Sequence, residues 1–359
     1  MERVMIPVEE YAQRRERAAA LVAEAGYDVL VGNGTESDAS VVRYFSAYWP
    51  LFEMGGVAIA PSGRSALMVG MESAEFAVER GVIDNIHLMK EYRETADPEY
   101  PGVAGVGYRE VFESIGVTNP ERIGVAGWLC TNMAMYEGLR EAFPEAEIVN
   151  ADELTASMRA NKSPAELACL REGFRLGELA LAAMLKAMKP GMTELELAGI
   201  AVAELYANGA EGEAHTVYSF GGRRTTNAIS RSTHEPLRAG EIVQIDVGGR
   251  VDGYSPSVGR PVCLGKMSER QRKLVEFCRD MHYRTFEWVQ AGVVAKEVAI
   301  KYEEFVREAG MMRHYLYGPC TGLGLMEVEK PWMEATSEYT IDPGMTFQAD
   351  TFFYDDDFG

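Results

Sequence analysis

A chain of 359 residues is too long for one ordinary domain and long enough to bury more than one core. Its hydrophobic fraction of 47% and charged fraction of 25% are typical of an ordered globular protein and exclude a largely disordered chain. The net charge of −20 argues against nucleic acid or an anionic membrane as a partner, because a polyanion is bound through a basic surface. Two interpretations of the charge remain, a solvated acidic surface that aids solubility and a field that favours a cationic substrate.

The amino-terminal residues, MERVMIPVEEYAQRRERAAALV, contain no apolar signal core, and no window is long enough to span a membrane. The odd number of cysteines, scattered without a CxxC pair, favours reduced thiols over a disulfide framework. We therefore expect a cytoplasmic protein without a membrane partner. The cysteines are Cys130, Cys169, Cys263, Cys278 and Cys320.

The first part of the chain alternates helical and strand patterns. The segment EEYAQRRERAAALVAEAGYDVLVG predicts an amphipathic helix, a stop at Gly26 and a strand. GVAIAPSGRSALMVG predicts two strands around a Pro-Ser-Gly turn, and RIGVAG predicts a further short strand before a helix. These patterns indicate a small α/β domain over residues 1–160.

A second unit begins at RANKSPAELACLREGF. Ser163 and Glu166 form a capping box there, with Pro164 at the first helical position. A second box, Thr193 and Glu196, starts another helix, and strand-like segments follow at HTVYSF, EIVQIDVGG and PVCLG.

The same order then recurs. Ser268 and Gln271 cap a long helix, AGVVAKEVAIKYEEFVREAGM predicts another, and strands are predicted at HYLYG and MTFQADTFFY. Because neither half alone would cover its sheet, we expect one duplicated α+β domain over residues 161–359.

Three carboxylates lie in apolar strand contexts, where burial without a partner is costly. They are Asp246 in VQIDVGG, Glu329 just before Pro331, and Asp350 in MTFQADTFF. Their convergence would require a metal ion, raised pKa values or a cationic ligand.

Five segments carry a resemblance to a known family. RYFSAYWP, MRANKSPAEL, DVGGRVDGYSPSVGRPV, GPCTGLGLMEVEKP and PGMTFQADTFFY follow one another along the chain. In this order they resemble the pita-bread superfamily, which includes prolidase, aminopeptidase P, methionine aminopeptidase and creatinase. The resemblance implies a creatinase-like amino-terminal domain, a pita-bread catalytic domain whose last motif would lie beyond Gly359, and a homodimer.

Matched position by position, the family's first metal aspartate falls on Asp246, and two of its glutamate positions fall on Glu329 and Asp350. Its second aspartate falls on Ser257 and its metal histidine on Thr321. Hydroxyl groups bring no charge at neutral pH and rank low as ligands for zinc, manganese or cobalt. The sequence therefore predicts no metal ligands and no cofactor, with Ser257 and Thr321 serving in substrate binding.

Without a metal, proton transfer would need a histidine, because the imidazole pKa lies near neutrality. His215 and His234 are both candidates, and the sequence does not choose between them. Arg223 and Arg260 are candidates for binding a substrate carboxylate, and Tyr254, at the turn after the aspartate strand, is a further candidate for substrate binding.

These features, taken with the resemblance, predict a metal-independent hydrolase that cleaves a C–N bond, amide or amidino, in a small polar metabolite. A histidine would act as general base and acid, and the carboxylates would orient water or a cationic group. Two alternatives stay open. One is a metallo-exopeptidase of the Xaa-Pro type with a degenerate site, and the other is a non-catalytic binding protein that retains the pita-bread cavity.

Overall fold

The computed structural model describes residues 3–359 and divides them into two units by their internal contacts. One unit is Ile6–Arg159, and the other is Ala160–Gly359 together with residues 3–5. Among the described residues, no helix combines the length and apolar character that a membrane span requires. All five cysteines are free thiols.

The amino-terminal unit is built on a six-stranded mixed sheet. Its strands are β1 Val29–Gly34, β2 Gly55–Ile59, β3 Ser65–Val69, β4 Ile86–Leu88, β5 Arg122–Ala126 and β6 Glu147–Asn150, in the order β4-β3-β2-β1-β5-β6. Strand β2 is antiparallel to both of its neighbours, and the other pairs are parallel. The helices are α1 Val8–Glu24, α2 Ser40–Ser46, α3 Ala74–Arg80, α4 Tyr108–Ser114, α5 Met133–Ala142 and α6 Asp152–Ala160.

The predicted first helix and its stop are confirmed. Helix α1 buries Tyr11, Ala18 and Val22 on one face, and Gly26 follows it with φ of +69°. Burial of the sheet against the helices gives this unit its own core. Members of that core include Val31, Ala58, Met68, Phe112, Val125, Met135 and Leu139.

The second unit repeats one arrangement, in which two helices precede a three-stranded antiparallel sheet. The first half has α7 Pro164–Ala187, α8 Glu194–Ala207, β7 Tyr218–Gly221, β8 Ile242–Val247 and β9 Val258–Cys263. The second half has α9 Glu269–Trp288, α10 Ala295–Glu308, β10 Cys320–Gly322, β11 Glu329–Met333 and β12 Phe347–Gln348. The sheet orders are β7-β8-β9 and β11-β10-β12, which confirms the predicted α+β architecture. Short 3-10 turns lie at Lys90–Tyr92, Trp128–Cys130, Gly222–Thr226 and Met312–His314.

The predicted capping boxes start three of these helices. At α7 the Ser163 hydroxyl accepts a hydrogen bond from the Glu166 amide, and the Glu166 carboxylate accepts one from the Ser163 amide. Thr193 begins α8 and Ser268 begins α9 in the same way. Each box satisfies amide groups that the first helical turn leaves without partners.

The predicted strand in MTFQADTFFY is much shorter than expected. Only Phe347–Gln348 forms a strand, because its ladder partner β10 is itself three residues long. HYLYG was also predicted as a strand, but a 3-10 turn at Met312–His314 and irregular chain occupy this region. The residues after Gln348, including Asp350, therefore leave the sheet instead of continuing it.

Candidate active site

Asp246 occupies the central strand of the first small sheet. In β8 it lies directly opposite Tyr218 on β7 and Gly259 on β9. Directly opposed residues of antiparallel strands share one face of the sheet, so these three form a row across it. Because Gly259 has no side chain, the space beside the Asp246 carboxylate stays open on that side.

His215 lies just before β7 and points its imidazole at this carboxylate. Its Nε2 is 3.5 Å from Asp246 Oδ2, and its ring stacks edge-on against Tyr218 at 5.0 Å between centroids. The Nδ1 lies 2.7 Å from the Thr216 carbonyl oxygen. Since a carbonyl only accepts, Nδ1 carries a proton, so whenever the ring is neutral its lone pair is on Nε2 and points to Asp246 and its surroundings.

Glu327 comes from the loop between β10 and β11. Its Oε1 accepts a hydrogen bond of 3.2 Å from Ser257 Oγ. Ser257 in turn accepts from Gln348 Nε2, at 3.2 Å on its hydroxyl and 3.3 Å on its carbonyl oxygen. This buried chain of polar contacts fixes the position of the Glu327 carboxylate.

The two halves of the unit thus bring three potential metal ligands together. One donor atom from each of His215, Asp246 and Glu327 lies within 4.8 Å of the others. Two buried atoms of this group, His215 Nε2 and Asp246 Oδ1, make no hydrogen bond within the described residues. An imidazole nitrogen with two carboxylates is a donor set that suits zinc, manganese or cobalt, so the residues fit a single ion.

The carboxylates of the site crowd one another. Burial, then the charges of Glu327 and Asp246, raise the pKa of Asp350 to about 7. Burial raises the pKa of Glu327 as well, and Asp246 adds to this against the opposing charge of His215. Burial disfavours the charged form of His215, but Asp246 and Glu327 together raise its pKa to about 9. A concentration of negative charge with one imidazole favours a bound cation.

Two tyrosines form aromatic walls beside these charges. For both Tyr218 and Tyr317, burial first and then the charges of the three carboxylates raise the phenol pKa. Tyr317 also contacts Trp332 edge-on, at 6.5 Å between ring centroids. The site therefore combines acidic groups with aromatic surface.

The structure places Glu329 apart from the other predicted carboxylates. Its Oε1 accepts a hydrogen bond of 3.0 Å from Lys162 Nζ, and both side chains are buried. The glutamate that joins Asp246 is Glu327, which sequence reasoning missed. The two glutamates of MEVE are two residues apart in a similar context, so no local feature favours Glu327 over Glu329.

Of the two histidines predicted as candidates, only one lies at the site. His215 lies beside Asp246, whereas His234 is exposed and makes no contact with the three donors in the described part of the chain. The sequence left both histidines open, and their positions in the fold distinguish them: His215 immediately precedes β7, the strand next to Asp246. His234 lies in an irregular segment that leads to β8.

Three of the predicted substrate-binding residues lie away from the carboxylate cluster. Arg223 is exposed, and Arg260 is exposed with its guanidinium bonded to the Gly259 carbonyl oxygen at 2.6 Å. Tyr254 is buried and donates to Glu166 Oε1 at 2.6 Å, so it packs against the start of α7. The described contacts bring none of the three to the carboxylate cluster.

Ser257 and Thr321, by contrast, both lie at the site. Ser257 is buried and holds Glu327, as described above. Thr321 is buried on β10 directly opposite Gln348, whose amide bonds Ser257. Its hydroxyl makes no hydrogen bond within the described residues.

An α/β unit followed by a duplicated α+β unit, with carboxylates and an imidazole gathered between two small sheets, defines a protein of the pita-bread class. The chain belongs to metallopeptidase family M24, whose sequence model matches residues 168–359. The model of the Creatinase/Prolidase N-terminal domain matches residues 14–161. These matches confirm the predicted family and, with it, the predicted class of hydrolases acting on C–N bonds.

Individual relatives agree with this membership. The chain is 23% identical over 313 residues to an Xaa-Pro dipeptidase of Pyrococcus furiosus, a match that covers 87% of this chain and 83% of that protein. It is 24% identical over 225 residues to an Xaa-Pro dipeptidase of Lactobacillus helveticus, covering 62% of this chain and 61% of the relative. The fold matches the crystal structure of a prolidase from Pyrococcus horikoshii with a TM-score of 0.81 at 20% identity, covering 97% of this chain and 92% of that one.

The family does not support the predicted metal independence. The family is one of metallopeptidases, and three ligand-type side chains converge, although Ser257 and Thr321 stand where the resemblance would place two of the family's metal ligands. His215 and Glu327 supply donors that the motif comparison did not anticipate.

Proposed function

We propose that the chain is a hydrolase of amide C–N bonds in small peptides or peptide-like molecules, with one metal ion held by His215, Asp246 and Glu327. The convergence of these three donors within 4.8 Å carries the proposal. The ion would supply Lewis-acid polarisation of a carbonyl oxygen. The names of the relatives, Xaa-Pro dipeptidases in two different organisms, support an amide as the bond that is cleaved.

The chain's own residues prepare this centre. The bond from His215 Nδ1 to the Thr216 carbonyl oxygen keeps the Nε2 lone pair directed at the site. Ser257 and Gln348 hold the Glu327 carboxylate in place. A preorganised donor set loses little freedom when it binds its ligand, which favours affinity.

The carboxylate of Asp350, which is not one of the three metal donors, supports a substrate with a positively charged nitrogen. Asp350 lies beside Glu327 and Asp246 but outside the group of three donors. In its ionised form this carboxylate can pair with an ammonium group, and the faces of tyrosine rings such as Tyr218 and Tyr317 attract cations. A free amino terminus of a dipeptide has this charge.

One observation favours a second candidate, the metal-independent hydrolase that the sequence predicts. The His215 imidazole lies 3.5 Å from Asp246, and the carboxylates raise its pKa to about 9, so an imidazolium can balance the acidic cluster without an ion. In that case His215 would move the proton, and Asp246 and Asp350 would orient the substrate.

Chelation distinguishes the two candidates. Purified protein is analysed for bound metal and assayed on a panel of Xaa-Pro and other dipeptides before and after dialysis against EDTA. We expect near-stoichiometric metal, loss of activity on chelation, and recovery with manganese, cobalt or zinc. His215→Ala should lose both metal and activity, whereas the control His234→Ala should keep both.

Full activity in EDTA with substoichiometric metal would refute the metal-dependent proposal and support the second candidate. Inactivity towards every amide, with or without added metal, would refute both and leave the binding protein that the sequence also allows.

A further inference from the structure

A buried hydroxyl without a partner lies beside the candidate centre. Thr321 is 3% exposed, and its Oγ1 makes no hydrogen bond within the described residues. Folded proteins pair nearly all of their buried polar groups, so an exception calls for a physical explanation. Valine has almost the same shape and would fill the same position in β10 without leaving a polar atom unpaired.

The strand register directs this hydroxyl to the site. Thr321 is paired with Gln348 across the antiparallel strands β10 and β12, so their side chains share one face. Gln348 Nε2 donates to Ser257 Oγ, and Ser257 Oγ donates to Glu327 Oε1, each at 3.2 Å. Thr321 therefore lies on the face of the sheet that holds the Glu327 carboxylate.

The polar groups nearest to Thr321 in the hydrogen-bonded chain have already committed their donors. The Glu327 carboxylate, when ionised, only accepts hydrogen bonds. The Ser257 proton is already donated to Glu327, and the Gln348 amide is donated to Ser257. Thr321 thus adds an uncommitted donor to a surface of acceptors, and a substrate oxygen near carboxylates needs such a donor.

We infer that Thr321 Oγ1 donates a hydrogen bond to the carbonyl oxygen of the bound substrate's amide. The inference rests on the proposed function for the identity of the substrate. Thr321 occupies the position of a family metal histidine, so in this chain that position would contact substrate instead of an ion. A donor of this kind acts most strongly when the oxygen gains charge, which lowers the barrier more than it tightens binding.

Two variants test the hydroxyl. Thr321→Val removes it at nearly constant shape, and Thr321→Ser retains it. We expect T321V to lower kcat/KM on the best dipeptide substrate about tenfold, chiefly through kcat, and T321S to stay within a few-fold of wild type. The melting temperature of T321V without substrate should be equal to or higher than that of wild type, because the hydroxyl it removes has no partner.

A matched control is Thr285 on α9, which is likewise buried but donates to the Met281 carbonyl oxygen at 2.9 Å. Thr285→Val should lower the melting temperature and leave kcat/KM unchanged. Wild-type activity in T321V would overturn the inference, and so would a lower melting temperature, since it would show that the hydroxyl bonds another protein group.

A failure of the proposed function and a failure of the inference about Thr321 give different results. If wild type hydrolyses no dipeptide, the proposed function fails, and calorimetric binding of glycyl-proline then decides the role of Thr321. Weaker binding by T321V than by wild type and T321S supports the inference. Equal binding, or none by wild type, overturns it.

Discussion

Glu327 and Glu329 show how two similar residues acquire different roles from their surroundings. Glu327 accepts a hydrogen bond from Ser257 and lies with His215 and Asp246. Glu329 is buried in an ion pair with Lys162. A buried carboxylate is tolerated only when it is compensated, and these two are compensated by different partners.

The same substitution at each of the two glutamates tests these different roles. Glu327→Gln should abolish stoichiometric metal binding and activity with little loss of stability, because it removes one negative charge from a crowded cluster. Glu329→Gln should retain metal but destabilise the fold by about 3 kcal/mol, because it leaves the Lys162 ammonium buried without its carboxylate. Elemental analysis and denaturant unfolding measure the two effects.

Replacing both members of the ion pair is the control. Lys162→Met combined with Glu329→Leu should recover most of the stability that Glu329→Gln loses, since no buried charge remains. Metal loss in Glu329→Gln together with metal retention in Glu327→Gln would contradict the assignment of Glu327.

At the residue scale, the sequence predicted part of the site. Asp246 and Asp350 could be found because each interrupts an apolar segment, whereas the sequence alone could not distinguish His215 from His234. Glu327 could not be found, since the distinction from Glu329 depends on Lys162, which is 167 residues away from Glu329 along the chain. Pairing over such a distance leaves no trace in the local pattern of one sequence.

At the scale of secondary structure, helix starts were more predictable than strand lengths. A capping box is formed by residues three apart, so Ser163, Thr193 and Ser268 could be recognised locally. The length of β12 depends on its partner β10, which is distant in sequence. Local chemistry therefore predicts where a helix begins, whereas tertiary pairing determines where a strand ends.

The cap of α9 can be tested on its own. Ser268 Oγ accepts a hydrogen bond of 3.2 Å from the Gln271 amide, and the Gln271 side chain also donates to the Gly240 carbonyl oxygen at 2.8 Å. Ser268→Ala should reduce the free energy of unfolding by about 1 kcal/mol without changing kcat/KM. Ser268→Asp, which keeps an acceptor at this position, should lose much less; equal unfolding midpoints for S268A and wild type would show that the cap does not stabilise α9.

At the scale of the whole molecule, the net charge of −20 and the acidic site both favour cationic ligands. A negative potential around the protein attracts cationic ligands and repels anionic ones, and salt screens both effects. The composition alone allowed a merely solubilising surface, so the charge could not be assigned a functional role from the sequence. The acidic cluster favours the second interpretation.

Substrate charge and salt test this interpretation together. We expect kcat/KM to be higher for lysyl-proline than for glutamyl-proline at low ionic strength. The ratio should fall several-fold between about 0.01 M and 0.15 M salt, as the Debye length shortens from about 30 Å to about 8 Å. A ratio independent of salt would show that the field does not contribute to selection.

The donor groups come from both repeats of the second unit. His215 and Asp246 belong to the first repeat, and Glu327 and Asp350 belong to the second. A ligand that bridges them binds the assembled pair and neither repeat alone, so its binding energy contributes to their cohesion. A ligand bound at the centre would thus link the two repeats. Its affinity would measure the free energy that the ligand adds to their association.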